Sequence, residues 1–319
     1  DEILIEDLIK NEEVIVTITH KGYLKRMPAD TYKAQKRGGK GVKGASSEDD
    51  FFTTIFTAET HDKLMFFTNK GIVFTLKVYE IPEGSRTAKG RNIVNLLSLK
   101  PDEKVTEIIP VPKNFDDSYL VISTERGLVK KSKLSEYKNV KQSGIKAIKI
   151  NDGDNVLGVR VTDGKKDILI CADSGKIIRF AESDCRPLGR VSQGVKAITL
   201  NDDEKAIGMA IIDDGMELLS VTEKGYGKRS QTAEYRKQSR GGKGILAMKL
   251  TDKTGNISQI KPVSESDDLM IITNNGQVIR TKISGISLLG RNTQGVRLIN
   301  LKEGESVVAV EKIAETDEE

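Results

Sequence analysis

The chain of 319 residues contains no tryptophan, two histidines, two cysteines and only 5% aromatic residues. His20 and His61 have no CxxC pair beside them, so the sequence offers no ligand set for zinc. Cys171 and Cys185 lie fourteen residues apart, which suits packing residues in a reducing cytoplasm. The scarcity of aromatic side chains argues against a surface that stacks single-stranded nucleic acid.

Long apolar runs are also missing: no stretch approaches the ~18 residues of a membrane-spanning helix, and no signal peptide opens the chain. The first residue is Asp1 rather than methionine, and we therefore expect a piece of a longer polypeptide. No HExxH or GxSxG motif occurs, and the acidic run NDGDN at 151–155 lacks the rest of a calcium-binding loop. The sequence thus predicts a protein that is not catalytic by itself.

An internal repeat occupies most of the chain. Each copy has an apolar or β-branched run, a polar turn that ends in glycine, and a second run, as in FFTNKGIVFT and CADSGKIIRF. Such a turn between two strand-like runs is typical of a β-hairpin. The turn glycines are 49, 56, 48, 50 and 51 residues apart, and they are Gly22, Gly71, Gly127, Gly175, Gly225 and Gly276.

A second glycine follows in every copy, 19 residues after the first in five repeats and 17 in the third. A third strand-like run begins there, as in GVKAITL, and a fourth apolar run ends the unit, as in AIGMAII. These second glycines are Gly41, Gly90, Gly144, Gly194, Gly244 and Gly295.

Six units of about four antiparallel strands predict an all-β, six-bladed propeller-like ring, in which each blade packs against its neighbours and protects their edges. We expect a single domain over 1–319. Its approximate repeats are 14–62, 63–118, 119–167, 168–217, 218–268 and 269–314, followed by an acidic tail at 315–319.

Cations recur at fixed places in the repeat, although the net charge is only +4 from 51 basic and 47 acidic residues. Equivalent positions in a ring lie at equivalent radii, so a recurring cation predicts a curved positive band suited to a long, bent polyanion. Four residues after the turn glycine stand Arg26, Lys131, Arg179, Arg229 and Arg280. Four before the second glycine stand Arg37, Arg86, Arg190, Arg240 and Arg291, and two after it stand Lys43, Lys146, Lys196 and Arg297.

Two glycine-rich basic loops stand out: QKRGGKG at 35–41 and QSRGGKG at 238–244, the second of which includes Lys243. A nucleotide-binding P-loop would need lysine where Ala45 stands, and a helix rather than a strand after it. Direct contact with phosphates fits better, because glycine lets backbone N–H groups approach closely while Lys36, Arg37 and Lys40 add charge. A plain glycine-rich turn remains the alternative.

The six repeats and this heptapeptide resemble the C-terminal domain of the bacterial DNA gyrase A subunit over essentially the whole chain. The resemblance implies a six-bladed β-pinwheel, whose blades exchange strands with their neighbours. It assigns the family's essential box to Gln35, Lys36, Arg37, Gly38, Gly39, Lys40 and Gly41.

The same resemblance implies that the domain bends duplex DNA around its basic rim, so that the parent type II topoisomerase can introduce negative supercoils. The isolated domain is then a monomeric, accessory module without a cofactor or metal of its own. ATP and magnesium belong elsewhere in the parent enzyme. The expected partners are duplex DNA, the N-terminal part of the same polypeptide and the gyrase B subunit, in the cytoplasm at the nucleoid and not at a membrane.

Three alternatives stay open at this stage. The corresponding domain of topoisomerase IV is similar, but we expect it to have fewer blades and a degraded box. A propeller that serves as a protein-interaction platform is the second alternative, although WD40 repeats need a Trp-Asp pair and this chain has no tryptophan. A propeller enzyme is the third, and no acid, base or metal cluster supports it.

Overall fold

The computed structural model describes residues 4–30, 50–85 and 87–314. Each repeat begins with an antiparallel hairpin, as the glycine turns predict. The first strands are Glu13–Thr19, Lys63–Thr68, Tyr119–Thr124, Asp167–Ala172, Glu217–Thr222 and Asp268–Thr273. The second strands are Tyr23–Pro28, Ile72–Lys77, Leu128–Lys133, Lys176–Ala181, Tyr226–Gln231 and Val278–Lys282.

The fourth apolar run of each repeat forms a long strand that pairs with the first strand. These fourth strands are Phe52–Glu59, Val105–Pro110, Val156–Thr162, Ala206–Ile212, Ile257–Val263 and Val307–Lys312. In repeats 2 to 6 they also pack side by side, one repeat after the next, and so surround the axis of the ring.

The third strand is shorter than the sequence suggests and belongs to another blade. It has two residues, and it pairs with the second strand of the preceding repeat. The third strands within the described residues are Arg91–Asn92, Ile145–Lys146, Val195–Lys196, Ile245–Leu246 and Val296–Arg297. Each of the first five sheets therefore runs outward in the order fourth, first and second strand, then the third strand of the next repeat.

This exchange of strands confirms the six-bladed β-pinwheel. The sixth sheet has three strands among the described residues, and the corresponding third-strand segment of repeat 1, at 42–43, lies outside them. Short 3-10 turns punctuate the described chain at Ile5–Leu8, Val78–Glu80, Ile93–Asn95, Phe115–Asp117, Leu134–Tyr137, Glu182–Asp184, Thr232–Glu234 and Ile283–Gly285.

The hydrophobic core lies between consecutive sheets rather than within one. One cluster joins Val16 and Leu24 of repeat 1 to Phe66 of repeat 2, and comparable clusters fill the next four gaps. Because both faces of an interior blade are covered, its first strand reads as a nearly continuous apolar run. Asp167–Ala172, with the sequence DILICA, is buried at every residue.

The second glycine is needed where the chain crosses to the preceding blade. Gly244 has φ +79°, and a Cβ built on it would lie 2.6 Å from the carbonyl oxygen of Ile177 in the preceding repeat. Gly194 repeats this geometry, with φ +92° and 2.6 Å to the carbonyl oxygen of Val129. Any other L-residue would be strained in its backbone and would also push the exchanged strand away.

We therefore expect Gly244→Ala to lower the free energy of unfolding by at least about 2 kcal/mol, since the left-handed conformation alone costs roughly 1–2 kcal/mol. Urea denaturation followed by circular dichroism measures this loss. Gly215→Ala is the matched control, because Gly215 has φ +84° but nothing within 4 Å of its Cβ position. Equal losses for the two variants would contradict a special role for the crossing.

Polar contacts link the first and last blades. The Nδ1 atom of His20 lies 2.8 Å from Oε2 of Glu311, and the His20 ring stacks on Phe51 with 5.2 Å between ring centroids. The backbone N–H of Ala314 also donates to the carbonyl of Phe52 at 3.2 Å. In the described part of the chain, the small apolar cluster of Ile15, Met27 and Ala29, with Ile55 packed against it, contains residues of repeat 1 alone.

This junction makes stability depend on pH. The hydrogen bond that Nδ1 of His20 donates to Glu311, aided by the charges of Glu311 and Asp50, raises the pKa of His20 against the opposing effects of burial and Lys21. A raised pKa in the folded state means that the stabilisation is complete below the unfolded pKa of about 6.5 and is lost as the pH rises through the folded pKa. The contact therefore contributes most under mildly acidic conditions.

We expect His20→Gln to destabilise the domain more at about pH 5.5 than at about pH 8.5, on either side of the ordinary histidine pKa. Urea titrations of both proteins at the two pH values measure the difference. Glu311→Gln should give the same pH pattern, because it removes the other partner of the pair. A loss that is the same at both pH values for both variants would contradict this interpretation.

Candidate nucleic-acid interface

The outer edge of the ring consists of the exchanged third strands and the loops that lead into them. We call the segments 82–92, 138–146, 186–196, 236–246 and 287–297 the rim loops of repeats 2 to 6. Each rim loop arrives from one repeat and ends on the outermost strand position of the preceding blade. The sheet order thus places five similar segments at the periphery, one on each of the first five blades.

Arginines in the rim loops bind across to the neighbouring loop. The Nη1 group of Arg240 donates to the carbonyl of Lys196 at 2.7 Å, and Nη1 of Arg291 donates to the carbonyl of Leu246 at 2.7 Å. Arg190 makes the equivalent bond to the carbonyl of Lys146. Each arginine therefore fastens its own loop to the third strand of the repeat before it.

Backbone hydrogen bonds complete the same connection. The N–H of Lys149 donates to the carbonyl of Ser192 at 3.1 Å, and the N–H of Lys249 donates to the carbonyl of Thr293 at 3.0 Å. Between them, the N–H of Thr199 donates to the carbonyl of Gly242 at 2.9 Å. The rim loops of repeats 3 to 6 consequently form one hydrogen-bonded belt around the outside of the ring.

Cations of the predicted band lie along this belt. Lys146, Lys196, Lys243 and Arg297 are exposed, and Arg190, Arg240 and Arg291 are half-buried by their bonds to the next loop. Further exposed cations that the repeat pattern did not predict lie in and beside the rim loops, among them Lys89, Arg91, Lys141, Lys149, Arg186, Arg236 and Lys249. Some of these could have been found, since Lys149 and Lys249 each stand five residues after a second glycine.

Arg297 is oriented by an aromatic ring. Its Nη2 group donates to the hydroxyl of Tyr226 at 2.9 Å, and its guanidinium carbon lies 5.3 Å from the ring centroid. The hydrogen bond from Arg297 lowers the pKa of Tyr226 against the effect of burial, and Lys253 lowers it further. A cation held over a ring in this way is attracted by the ring's quadrupole and keeps a defined direction.

The cations four residues after the turn glycine have a different environment. Lys131, Arg179 and Arg229 are only 5%, 7% and 8% exposed. They pair with carboxylates at 3.4 Å to Glu182, 2.9 Å to Asp167 and 2.8 Å to Glu217, respectively.

The two remaining members of this set are more accessible. Arg26 is half-buried and donates from Nε to the carbonyl of Ile81 at 2.8 Å. Arg280 has a side chain that is 42% exposed, and it pairs with Asp268 at 2.7 Å. In place of a cation, repeat 2 has Thr75.

The backbone at the same position supports the rim loops. The carbonyls of Lys131, Arg179 and Arg229 accept bonds of 2.7, 2.8 and 2.8 Å from rim-loop N–H groups, and the donors are Leu188, Gln238 and Leu289. Their ammonium and guanidinium groups are already compensated by carboxylates and carbonyls. These three cations therefore connect neighbouring blades, and they are not part of the exposed belt.

The predicted contacts in the first basic loop cannot be placed, because Gln35 to Gly41 and Lys43 lie outside the described residues, as does Arg86. Their contact with phosphate stays a prediction. The second copy, at 238–244, lies in the rim loop of repeat 5. Its Lys243 is exposed, and the N–H of its Gly241 donates to the carbonyl of Ala197 at 2.9 Å.

Both cysteines are free and buried. Burial raises the pKa of Cys171, and it raises the pKa of Cys185 to about 11, so both thiols stay protonated near neutral pH. Among the described residues, no group of three or more His, Cys, Asp or Glu side chains could hold a metal ion. Over the same residues, no helix has the length and apolar character needed to cross a membrane.

The fold and the belt define a class of protein: a six-bladed, strand-exchanged propeller with cations at its outer edge. The family model described as "DNA gyrase C-terminal domain, beta-propeller" matches six segments, and they are 13–57, 62–112, 118–163, 166–213, 217–264 and 267–314. The chain belongs to this family, the C-terminal β-propeller domains of DNA gyrase.

Curated relatives agree with the family model. The chain is 47% identical over 320 residues to the DNA gyrase A subunit of Clostridium acetobutylicum, covering 100% of this chain and 39% of that relative. It is 52% identical over 315 residues to the DNA gyrase A subunit of Halalkalibacterium halodurans, covering 98% of this chain and 38% of that relative. The chain therefore spans about two fifths of the length of these relatives.

Two solved structures have the same fold. The C-terminal domain of a DNA topoisomerase IV matches with a TM-score of 0.86 and 27% identity, over 95% of this chain and 94% of that one. A DNA gyrase A C-terminal domain matches with a TM-score of 0.69 and 27% identity, over 95% and 100% of the two chains. This topoisomerase IV domain matches over nearly its full length, so blade number does not separate it from the present chain.

Proposed function

We propose that this domain binds duplex DNA along the rim loops and wraps it with a constant handedness. The observation that carries the proposal is the belt itself: hydrogen-bonded rim loops with exposed cations at repeated positions. Lys146, Lys196 and Lys243 provide charge on successive loops, and Arg297 continues it on the loop of repeat 6. A cation that recurs around a ring follows a curved phosphate backbone better than it fits a small ligand.

The energetics of DNA bending favour such a distributed surface. Bending 20 to 30 base pairs by 40 to 90° costs on the order of 1–6 kcal/mol, so several phosphate contacts are needed to offset it. Contacts of this kind release counterions, and they carry no sequence information by themselves. Binding is therefore sequence-tolerant and strongly weakened by salt, as for other proteins that wrap DNA through its backbone.

In the parent enzyme, the wrapped DNA is presented to the gyrase B subunit and to the rest of the polypeptide that carries this domain. ATP and magnesium act there, outside this domain, and the domain contributes DNA geometry rather than bond chemistry. The box at 35–41 supplies further phosphate contacts from repeat 1. The domain acts in the cytoplasm, where the nucleoid provides its DNA.

A topoisomerase IV-type role is the second candidate, and the TM-score of 0.86 to such a domain favours it. The complete parent enzyme, supplied with ATP, separates the two candidates. Net negative supercoiling of relaxed plasmid supports the gyrase role. Relaxation and strand passage without negative supercoiling support the other.

Wrapping is tested by closing nicked circular DNA with ligase in the presence of the domain, removing the protein and measuring the linking-number distribution. We expect a shift of constant sign that grows with protein and fades as salt is added. Tight binding without a shift contradicts wrapping. The absence of binding even at low salt contradicts the DNA proposal and favours a protein-interaction platform.

A further inference from the structure

A lysine is buried three residues after the turn glycine in every second blade. Lys25, Lys130 and Lys228 of repeats 1, 3 and 5 are 2%, 0% and 0% exposed. Repeats 2, 4 and 6 have apolar residues at this position, and they are Phe74, Ile178 and Ile279. In repeats 1 to 5, the second strand that carries this position lies beneath the rim loop of the next repeat.

Each buried ammonium group binds the backbone of that rim loop. Lys228 donates from Nζ to the carbonyls of Gly290, Arg291 and Thr293 at 2.9, 2.8 and 2.9 Å. Lys130 donates to the carbonyl of Arg190.

Lys130 and Lys25 make further hydrogen bonds to backbone carbonyl and hydroxyl oxygens. Lys130 also donates to the carbonyl of Ala147 at 2.5 Å and to the hydroxyl of Tyr137 at 3.0 Å. Lys25 donates to the carbonyls of Ser85 and Ala88 at 3.1 and 2.9 Å, on either side of position 86. In two blades, therefore, a buried lysine binds the carbonyl of the rim arginine itself.

Burying these ammonium groups opposes folding. Burial lowers the pKa of Lys130 to about 7 and that of Lys228 to about 8. Their hydrogen-bond partners in the described structure are carbonyl and hydroxyl oxygens. Apolar residues fill the same position in the alternate blades, so packing alone does not require lysine there.

The rim loops divide into two types that match this alternation. In sequence, the loops that follow the three lysines read Gly84-Ser85-Arg86, Gly189-Arg190 and Gly290-Arg291, of which Arg86 lies outside the described residues. In the other two rim loops, no glycine stands within two residues before the equivalent position, and these loops lie over apolar side chains. A Cβ at Gly144 would be 2.9 Å from Phe74, and a Cβ at Gly242 would be 3.7 Å from Ile178.

We propose that Lys130 and Lys228 are positioning residues for DNA binding, each of which fixes one rim arginine, Arg190 or Arg291, in the direction of the DNA backbone. This inference rests on the proposed function. The carbonyl of each arginine is held from inside by the ammonium group, and its guanidinium is held from the side by the preceding repeat. An arginine fixed at both ends loses less conformational entropy when it binds a phosphate.

Double-mutant cycles in DNA affinity test the pairing. We expect Arg190→Ala and Lys130→Met each to weaken duplex binding by about five- to tenfold near 0.1 M salt, the size of one lost phosphate contact. Because both remove the same contact, Lys130→Met in the Arg190→Ala protein should have less than about a twofold further effect. Lys228→Met and Arg291→Ala should be coupled in the same way, whereas Lys130→Met with Arg291→Ala should be multiplicative.

Controls separate positioning from general damage. Met resembles the apolar residues of the alternate blades, and far-UV circular dichroism with urea unfolding checks that each variant is folded under the binding conditions. Lys130→Gln retains a donor and should recover part of the affinity. Lys165→Met removes one exposed charge in a connection away from the rim loops and should change affinity less than twofold.

The outcomes distinguish this inference from the proposed function. If the unmodified domain does not bind duplex DNA, the proposed function fails, and the inference fails with it. If the unmodified domain binds duplex DNA and the Lys130→Met and Lys228→Met variants bind it with the same affinity as the unmodified domain, the inference alone is overturned. Fully multiplicative effects within the two proposed pairs would overturn it as well, since they indicate general loss of charge or stability.

Discussion

Replacing Lys146, Lys196 and Lys243 together by alanine is expected to lower the affinity for duplex DNA on the order of 10²- to 10³-fold near 0.1 M salt. All three side chains are exposed on the rim loops. If each contacts one phosphate, the slope of the logarithm of affinity against the logarithm of salt concentration should fall by ~3. Fluorescence anisotropy with a labelled duplex, repeated over a salt series, measures both quantities.

The matched control removes the same charge from elsewhere. Lys113, Lys165 and Lys302 are exposed in connections that precede the first or the fourth strand, and not in the rim loops. Replacing these three by alanine should leave most of the affinity and of the salt slope. If the two triple variants lose affinity equally, net charge rather than the belt governs binding, and the proposed interface is wrong.

Glu182→Ala is expected to lower the free energy of unfolding by about 3–5 kcal/mol, because it leaves a buried cation without its partner. Glu182 is 0% exposed, and its Oε1 lies 3.4 Å from Nζ of Lys131. The carboxylate also accepts hydrogen bonds from the hydroxyl of Thr162 and, at 3.1 Å, from the N–H of Lys166. Urea unfolding at neutral pH, compared with the unmodified domain, measures the loss.

The double variant tests the physical reason. Glu182→Met with Lys131→Met removes both charges, and replacing a whole buried pair by apolar groups is often nearly neutral. It should recover most of the stability lost in Glu182→Ala. If the folded double variant also binds DNA like the unmodified domain, Lys131 is confirmed as a connector between blades. A large, selective loss of affinity for DNA would instead indicate that Lys131 contacts DNA, as its place in the repeat predicted.

The fold and its repeat could be predicted from the order of the residues alone. Glycine recurs at fixed positions because the hairpin turn and the crossing to the preceding blade both need φ values that other residues avoid, as at Gly175 and Gly244. The apolar runs mark the strands because each sheet is covered on both faces by its neighbours. The six-bladed ring follows from these local requirements, without knowledge of which strands pair. The family follows from the resemblance that the six repeats and the heptapeptide at 35–41 carry.

Which cations face solvent depends on how the blades pack, and the sequence could not predict it. Arg179 and Arg240 are equally periodic in the sequence, but Arg179 stands on a second strand whose faces are covered by neighbouring blades. Arg240 stands in a rim loop and remains partly accessible. The period of the repeat shows which positions are equivalent, but it does not show whether their side chains face solvent or a neighbouring blade. The exchange of the third strands also could not be predicted from the local sequence. Each third strand has two residues, too few to show the alternating pattern of a β-strand, and its hydrogen-bond partners belong to another repeat.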